Sequence, residues 1–420
     1  MLASLDAAVE GNAHATAVED RLSANRVIVD EGKKERRLRQ ITRRGFVLGS
    51  AALSVVGRAG FAAEKEGLPL LIGTQTSGTS KGIYAYSFSE KTGDLTAFGL
   101  AAETANPTFM ALAPDGKVLL VANELDKFEG KDGGAVSTFT LDRTKTRLTK
   151  VNQVASLGGG TCHVAFDHTG RDAFAANYGG GSAASFAVGS GGALSPAVSF
   201  FQYTGQGPNK ARQEAPHAHR VTVSPDNRFL LVNDLGLDTI HIYRLDASTA
   251  KLVPNEPAAW RSAPGAGPRA LRFHPNGKVA YCVTEMASSV VVLRWDSERG
   301  ALETVQEIVM KPADFQGETN GDDITIDREG KFAYATDRFD DIVVTFAISP
   351  SDGKLTLLNR MPCGGKVPRH LALDPSGHWL LIANQESDNI SMLARDPKTG
   401  KLTDSGKSFP LSRPQCLVFA

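Results

Sequence analysis

The chain has few of the features that mark disulfide-rich, nucleic-acid-binding or membrane-spanning proteins. Its four cysteines include no C-x-x-C pair, a pattern that specifies neither a zinc site nor a disulfide framework, so four free thiols are expected. Lysine plus arginine and aspartate plus glutamate both number 46, so no basic field favours a phosphate backbone. The three tryptophans are isolated and form no stacking array for single-stranded nucleic acid. Nucleic-acid binding is therefore not expected.

The first 63 residues are predicted to be a leader outside the folded domain. The pair Arg43-Arg44 precedes a short apolar stretch, 49–57, which is followed by small residues that include Gly60 and Ala62. This order resembles a twin-arginine export signal cleaved near Ala62 or Ala63. The apolar run is far shorter than the ~20 residues that a spanning helix needs, so no stable membrane span is predicted. We therefore expect the twin-arginine translocase as a partner and a periplasmic location; the alternative is a basic cytoplasmic arm.

Glycine is abundant, with 42 residues in 420, and much of it marks an internal repeat. Six turns at intervals of 47 to 57 residues each join two short β-rich runs, which is the signal of a β-hairpin. Their central residues are Gly116, Gly170, Asn227, Gly277, Gly330 and Gly377. A second marker, a leucine just after a turn, has seven copies: Leu95, Leu148, Leu194, Leu252, Leu302, Leu355 and Leu402.

The missing seventh turn is explained if the two chain ends complete one unit. Residues 414–419 match the strand before the turn, and residues 70–75 match the strand after it. Units of about 50 residues with four strands each, closed by both termini, predict an all-β, seven-bladed β-propeller over residues 68–420. Its four-stranded antiparallel blades would include one that is built from one C-terminal and three N-terminal strands. Counted back from each turn residue, positions −6 and −4 are apolar and are expected to pack against the neighbouring blade.

Polar residues replace apolar ones at the two ends of each inner hairpin, at positions −8 and +8. Position −8 holds Thr108, Cys162, His219, Arg269, Asp322, Arg369 and Gln415. Position +8 holds Glu124, Tyr178, Leu235, Glu285, Arg338, Gln385 and Gln75. Both positions lie at the same end of a propeller, so these side chains are expected to surround the channel mouth. Folding does not require this polarity, and converging polar groups in a concave site are the default signature of a binding or active site.

More ordinary interpretations apply to several of these residues. Arg269 and Glu285 could form a structural ion pair, and His217 could be a solvated loop residue. Cys162 is more readily interpreted as a small buried side chain that fills space in the core than as a nucleophile. His163 and His370, at position −7, are expected to be structural. The sequence contains no nucleotide-binding glycine fingerprint, no haem motif and no dense metal-ligand spacing, so neither a cofactor nor a metal is predicted.

From about residue 70 to residue 419, the sequence resembles the seven-bladed propeller lactonases, which include 6-phosphogluconolactonases and carboxymuconate-lactonising enzymes. Its most specific piece is the motif G-P-N-K-A-R-Q-E-A-P-H-A-H at 207–219. Shorter supporting pieces end at Arg269, Glu285 and Arg338. The resemblance implies an active site made of His219 and these three residues.

Opening a lactone needs a group that activates water and a cationic or hydrogen-bonding pocket for the oxyanion. His219 is the natural proton acceptor, Glu285 is an alternative base, and Arg269 and Arg338 would stabilise the oxyanion or clamp a carboxylate. Further contacts to the substrate are expected from His217, Asp322, Arg369, Gln385 and Glu124. The same groups suit lactonisation of an unsaturated diacid, and a non-catalytic periplasmic binding propeller is a third possibility.

Overall fold

The structure, a computed structural model, describes residues 67–144 and 146–420. The predicted leader, with its arginine pair and cleavage site, lies outside these residues. Within the described part, no helix is long and apolar enough to cross a membrane.

Seven four-stranded antiparallel sheets make up the fold, which confirms the predicted seven-bladed propeller. The inner strands are β4 (Pro107–Leu112), β10 (Thr161–Phe166), β14 (Ala218–Val223), β18 (Pro268–Phe273), β22 (Gly321–Ile326), β26 (Pro368–Leu373) and β30 (Pro414–Phe419). The second strands are β5 (Val118–Asn123), β11 (Asp172–Asn177), β15 (Phe229–Asp234), β19 (Val279–Thr284), β23 (Phe332–Asp337), β27 (Trp379–Asn384) and β1 (Leu68–Thr74). In these two lists and the two below, the blades follow one order, from blade 1 to blade 7.

The outer half of each blade is a second hairpin. The third strands are β8 (Ala135–Asp142), β12 (Ser182–Ala187), β16 (Thr239–Asp246), β20 (Ser289–Asp296), β24 (Ile342–Ile348), β28 (Asn389–Arg395) and β2 (Gly82–Phe88). The outer strands are β9 (Arg147–Ala155), β13 (Ser199–Gln202), β17 (Lys251–Arg261), β21 (Ala301–Val309), β25 (Leu355–Pro362), β29 (Leu402–Pro410) and β3 (Leu95–Glu103). Blade 1 also carries a small hairpin, β6 (Lys127–Phe128) with β7 (Lys131–Asp132), and blade 2 a 3₁₀ turn, Ser190–Gly192, neither of which the repeat pattern predicts.

The turn residues of the six inner hairpins have the backbone conformation that their identity suggests. Gly116 has φ 70°, Gly330 has φ 68°, and Asn227 takes the same left-handed conformation with φ 61°. This region is open to glycine and tolerated by asparagine, which is why these residues recur at the repeat spacing.

Blade 7 is closed by the two ends of the folded chain, as predicted. Strand β30 pairs antiparallel with β1, with Leu70 opposite Phe419 and Ile72 opposite Leu417. The N–H of Ala420 donates to the carbonyl of Pro69 at 2.9 Å and extends the ladder beyond the last strand. The sheet edge that an open array would expose is therefore covered.

The core lies between blades, not at the centre of the ring. Val164 and Phe166 of blade 2 are buried in one cluster with Leu120, Ala122 and Val136 of blade 1, which confirms the expected role of positions −6 and −4. The outer parts of neighbouring blades are joined by a repeated hydrogen bond. The fully buried Tyr281 donates to the carbonyl of Gly353 in the next blade at 2.8 Å, and Tyr334 does the same to Gly400.

Candidate active site at the channel mouth

Every inner strand has an irregularity at position −8, and this irregularity creates the site. In blade 3, Ala218 pairs with Asp234 and Arg220 with Asn233, so His219 between them has no partner in the ladder. The same shift leaves one residue unpaired in each blade: Thr108, Cys162, His219, Arg269, Asp322, Arg369 and Gln415. In blade 5, Asp323 is unpaired as well. A β-bulge re-aims its side chain out of the regular alternation, which explains how seven such residues can face one channel.

Six of these seven residues, together with Glu124, line a small cavity of about 30 Å³ at this end of the channel. This volume exceeds the roughly 10–15 Å³ that a water molecule needs. Asp322 does not line it and lies instead against Arg269. The predicted ring at position −8 therefore does converge on the channel.

Glu285 is buried and surrounded by three guanidinium groups. Its Oε2 is 2.9 Å from Nη2 of Arg338 and 3.0 Å from Nε of Arg269, and its Oε1 forms an ion pair with Arg212. Burial alone would raise the pKa of this carboxyl, but Arg338, Arg269 and Arg212 together hold that pKa below its usual range. Glu285 is consequently an ionised acceptor whose oxygens are both occupied.

Arg269 is the buried link between two carboxylates. Besides its contact with Glu285, its Nη1 donates to the main-chain oxygen of Asp322 at 2.6 Å and forms an ion pair with the Asp322 carboxylate. Burial disfavours the charge, yet Asp322 and Glu285 raise the pKa of the Arg269 guanidinium. Of the two sequence interpretations, the contacts favour a structural ion pair at Arg269 over an oxyanion-binding role.

His219 has no side-chain hydrogen-bond partner among the described residues. The ring of Tyr178 approaches it edge to face, with centroids 5.7 Å apart. Burial and the positive charges of Arg269, Arg369 and Arg338 hold the pKa of this imidazole well below its ordinary value. His219 is thus neutral near pH 7, with ring nitrogens that no other side chain occupies.

Arg369 differs from Arg269 because no carboxylate of the described residues lies within ion-pair distance of it. Its Nε donates to Oε1 of Gln415 at 3.1 Å, and Gln415 in turn donates to Oε1 of Gln385 at 2.8 Å. The two glutamines fix the guanidinium without neutralising it. Arg369 therefore offers free donors and a full charge at the cavity that His219 also lines.

Arg338 lies at the more open side of Glu285. Its Nη2 also donates to Oδ1 of Asn320, and its side chain is 13% exposed, compared with 4% for Arg269. Burial lowers the pKa of Arg338 to about 10, against the opposing effect of Glu285 and Asp322. It remains cationic at neutral pH and is the more accessible of these two guanidinium groups.

His217 lies just before β14 and is separated from the cavity by Tyr178. The two rings stack with centroids 4.4 Å apart, and the ring nitrogens of His217 lie 3.1 Å from the Tyr178 carbonyl oxygen and 3.2 Å from Glu214 Oε1. These contacts hold the ring of His217 in place, whereas the ring of His219 forms no hydrogen bond with another side chain of the described residues.

Sequence reasoning assigned no role to two residues of this site: Arg212, which lies within the motif 207–219, and Tyr178, which belongs to the ring at position +8. Arg212 reaches Glu285 from the loop between β13 and β14, and its Nη2 is 3.3 Å from the Tyr178 hydroxyl. The fully buried Gln213 anchors this loop by donating to Asp238 Oδ1 at 2.8 Å and to the carbonyl of Leu235 at 2.9 Å. The signal was the polar motif 207–219 itself, whose Asn, Arg and Gln shape a loop over the mouth.

The predicted filler Cys162 is buried and, like the three other cysteines, free. Burial raises the pKa of its thiol, so it is not an activated nucleophile. Among residues 67–144 and 146–420, no group of three or more His, Cys, Asp or Glu side chains is placed to hold a metal ion.

Comparison with known proteins agrees with this geometry. Residues 69–419 match the family model described as "Lactonase, 7-bladed beta-propeller". The 6-phosphogluconolactonase of Bacillus subtilis is 32% identical over 348 residues, which cover 83% of this chain and 97% of that protein. The 6-phosphogluconolactonase of Formosa agariphila is 32% identical over 76% of this chain and 90% of its own length.

A solved structure gives the same result. The periplasmic gluconolactonase of Pseudomonas aeruginosa superposes with a TM-score of 0.79 at 33% identity, covering 84% of this chain and 98% of its own. The match to the family model, over residues 69–419, extends over all seven blades. The chain belongs to the family of seven-bladed β-propeller lactonases.

Proposed function

We propose that the protein hydrolyses a sugar lactone at the channel mouth. The observation that carries the proposal is that His219, neutral and without a side-chain hydrogen-bond partner, lines one small cavity together with Arg369, which has no carboxylate of the described residues within ion-pair distance. For water to attack a carbonyl, a base and a cationic pocket must face the same small volume. Membership of the lactonase family supports the same reaction.

In this mechanism, His219 accepts a proton from a water molecule as the water oxygen attacks the lactone carbonyl. The charge that develops on the carbonyl oxygen is stabilised by Arg369 and Arg338, which are preorganised by Gln415, Asn320 and Glu285. Collapse of the tetrahedral intermediate breaks the bond between the carbonyl carbon and the ring oxygen. The imidazolium returns its proton to that oxygen, and the product is the open hydroxy acid.

Glu285 serves as a positioning residue here and not as the base. Both carboxylate oxygens of Glu285 are engaged by Arg338, Arg269 and Arg212, so neither is free to accept a proton from the attacking water. Its removal would free Arg338, Arg269 and Arg212 to repel one another. Its role is to hold Arg338 where the oxyanion forms.

The substrate is proposed to be a non-phosphorylated sugar lactone met outside the cytoplasm. Support comes from the Arg43-Arg44 leader pattern of residues 1–63 and from the relative described as a periplasmic gluconolactonase. Replacing both arginines with lysine should leave the precursor in the cytoplasm of a host with a twin-arginine translocase. Unchanged appearance in the periplasm would contradict the proposed route.

The activity is tested with the purified full-length protein in a pH-stat, with glucono-1,5-lactone, its 6-phosphate and carboxymuconates as separate substrates. We expect acid release above the spontaneous rate with the unphosphorylated lactone and loss of this excess in His219→Gln. If no lactone is opened faster than in buffer, lactone hydrolysis is wrong. Consumption of carboxymuconate alone would favour the lactonising reaction, and inactivity on all three would favour a binding propeller.

A further inference from the structure

The other end of the channel contains a much larger cavity, which the mechanism above does not use. Its volume is about 770 Å³, and all seven inner strands contribute to its wall. This lies within the roughly 300–1,000 Å³ typical of small-molecule sites. Phe109, His163 and Arg220 line both this cavity and the small cavity at the mouth, so they form the layer between the two.

The charges of this layer are mostly paired. Nη1 of Arg220 is 2.6 Å from Oδ1 of Asp323, and both side chains are buried. Nε2 of His370 lies 3.7 Å from the other carboxylate oxygen of Asp323. Because the N–H of Leu417 donates to Nδ1 of His370 at 3.3 Å, the proton of this imidazole is on Nε2, facing the carboxylate.

One hydrogen-bond donor of this layer has no acceptor. The N–H of Val221 donates to Nδ1 of His163 at 3.4 Å, which places the imidazole proton on Nε2. That nitrogen is buried and has no hydrogen-bond partner within the described part of the chain, in a side chain only 6% exposed. Nε2 of His163 is therefore a buried donor without an acceptor, an arrangement that costs stability.

A second cationic group lies on the same cavity wall. Nε of Arg272 donates to the carbonyl of Ile324 at 3.2 Å, and no carboxylate of the described residues is within ion-pair distance of its guanidinium. The rest of the wall is largely apolar, with Leu112, Phe166, Val223, Phe273, Leu373 and Phe419 among its residues. The cavity thus combines one positive charge without an ion-pair partner and apolar walls.

We propose that this cavity is a second ligand site, specific for a small carboxylate with an apolar body. The carboxylate would accept a hydrogen bond from Arg272, and an aromatic or alicyclic ring would pack on the apolar wall. A neutral apolar molecule would leave the guanidinium of Arg272 without an anionic partner, and a polyanion would meet only one free cation. The charge pattern therefore selects a monoanion.

The test is isothermal titration of the full-length protein with benzoate and, as the neutral analogue, benzyl alcohol. Benzoate should bind at least about 10-fold more tightly than benzyl alcohol, because a hydrogen bond between the guanidinium of Arg272 and a carboxylate is stronger than one to a neutral hydroxyl. Arg272→Gln should weaken benzoate binding by about 10-fold or more and leave lactone hydrolysis unchanged. Arg294→Gln, on an exposed outer surface of the same blade, is the matched control and should change neither.

Two results would overturn the proposal. One is an absence of benzoate binding to the wild-type protein. The other is binding that survives Arg272→Gln but is lost in Arg369→Gln, which would place benzoate at the mouth. If Arg272→Gln does not fold, Ala372→Phe, which fills the cavity from blade 6, replaces it; unaltered benzoate binding in that variant would also contradict the site. Because benzoate binding is measured without any lactone, these outcomes are independent of the proposed hydrolase activity.

Discussion

Nε of Arg269 lies 3.0 Å from Oε2 of Glu285, across the inner hairpin that carries both residues, and the same guanidinium contacts Asp322 in the next blade. Arg269 therefore links blades 4 and 5 at the channel mouth. The arginine available to a substrate is a different one, Arg369, whose only side-chain partner in the described residues is the neutral Gln415.

Arg269→Gln should primarily destabilise the protein. The change leaves Glu285 and Asp322 buried with fewer opposite charges, and breaking a buried pair in this way costs about 3–5 kcal/mol. We expect the free energy of unfolding, measured by urea denaturation, to fall by about that amount. Arg294→Gln, which removes an exposed ion pair with Glu303, should change it by less than about 1 kcal/mol. Equal stability of the two variants would contradict the structural role of Arg269.

Arg369→Gln should have the opposite effect: it should reduce activity and change stability little. The glutamine keeps a donor near Gln415 but removes the charge at the cavity, so kcat/KM for the active lactone should fall about 100-fold while the urea midpoint changes little. Arg369→Lys retains the charge without the planar geometry and should recover part of the loss. Full activity of Arg369→Gln would exclude it from oxyanion stabilisation.

His219→Gln should reduce kcat by about 100-fold or more without changing the melting temperature. In the wild-type protein, the lowered pKa of His219 keeps the base neutral in mild acid, so kcat/KM should stay level as the pH falls from 7 past about 6.5, the ordinary histidine value. A pH–rate profile checks this, with His168→Gln on an exposed turn as the control. An acidic limb centred at or above pH 6.5 would argue against a buried histidine base.

The stability of the fold should decrease on mild acidification because His163 and His370 are buried. Burial lowers the pKa of His370 to about 4 and that of His163 well below its ordinary value, whereas both titrate near 6.5 when unfolded. Below about pH 6.5 the unfolded chain takes up protons that the folded one does not. Stability is therefore fully present above that pH and falls as pH decreases, by up to about 1.4 kcal/mol per pH unit for each histidine.

Urea denaturation at several pH values between 7 and 5 measures this slope; Asp172, whose pKa burial raises to about 7, contributes with the opposite sign in this range, equally in the wild type and in the variants. His370→Gln should make the slope shallower, and His378→Gln, whose ring is on an exposed turn, should leave it unchanged. An identical slope in wild type and His370→Gln would show that this imidazole is protonated in the folded state.

Deleting residues 414–420 should remove the inner strand of blade 7 and with it the closure of the ring. The deletion removes Leu417, which is 3% exposed, and uncovers β1 and the faces of β26 and β4 that contact β30. We expect insoluble protein or a large drop in melting temperature, because an unpaired edge and two bare faces both favour aggregation. Replacing Lys401, in an outer loop, serves as the control and should leave solubility and melting temperature unchanged. A soluble truncated protein with unchanged melting would be incompatible with the split blade.

The sequence was sufficient for the fold because the propeller repeats its local signals. Turn residues such as Gly116 and Asn227 occupy left-handed conformations that few residues tolerate, and the leucine marker recurs once per blade. The exception is Leu194, which precedes β13 and forms an isolated bridge with Val188, since a 3₁₀ turn interrupts that hairpin. The hairpin β6–β7 has no counterpart in other blades, so no repeat could reveal it.

The site was predictable only as a set of positions. The ring at −8 does surround the channel, and the Arg269–Glu285 contact follows from hairpin geometry. Arg212 comes from a loop that has no register with any strand, so its contact with Glu285, 73 residues away, has no periodic signal. The different availability of Arg269 and Arg369 depends on neighbours from adjacent blades, which spacing within one blade does not determine.

The bulge at position −8 has a consequence for how such a scaffold can change. Because these seven residues take no part in the interstrand ladder, a substitution at one of them alters the chemistry of the channel without shifting the register of a blade. Thr108 is a member of the ring whose hydroxyl has no hydrogen-bond partner among the described residues, and it offers the least costly starting point. New specificities could be selected from libraries randomised at this position while the contacts of Arg269 with Glu285 and Asp322 remain intact.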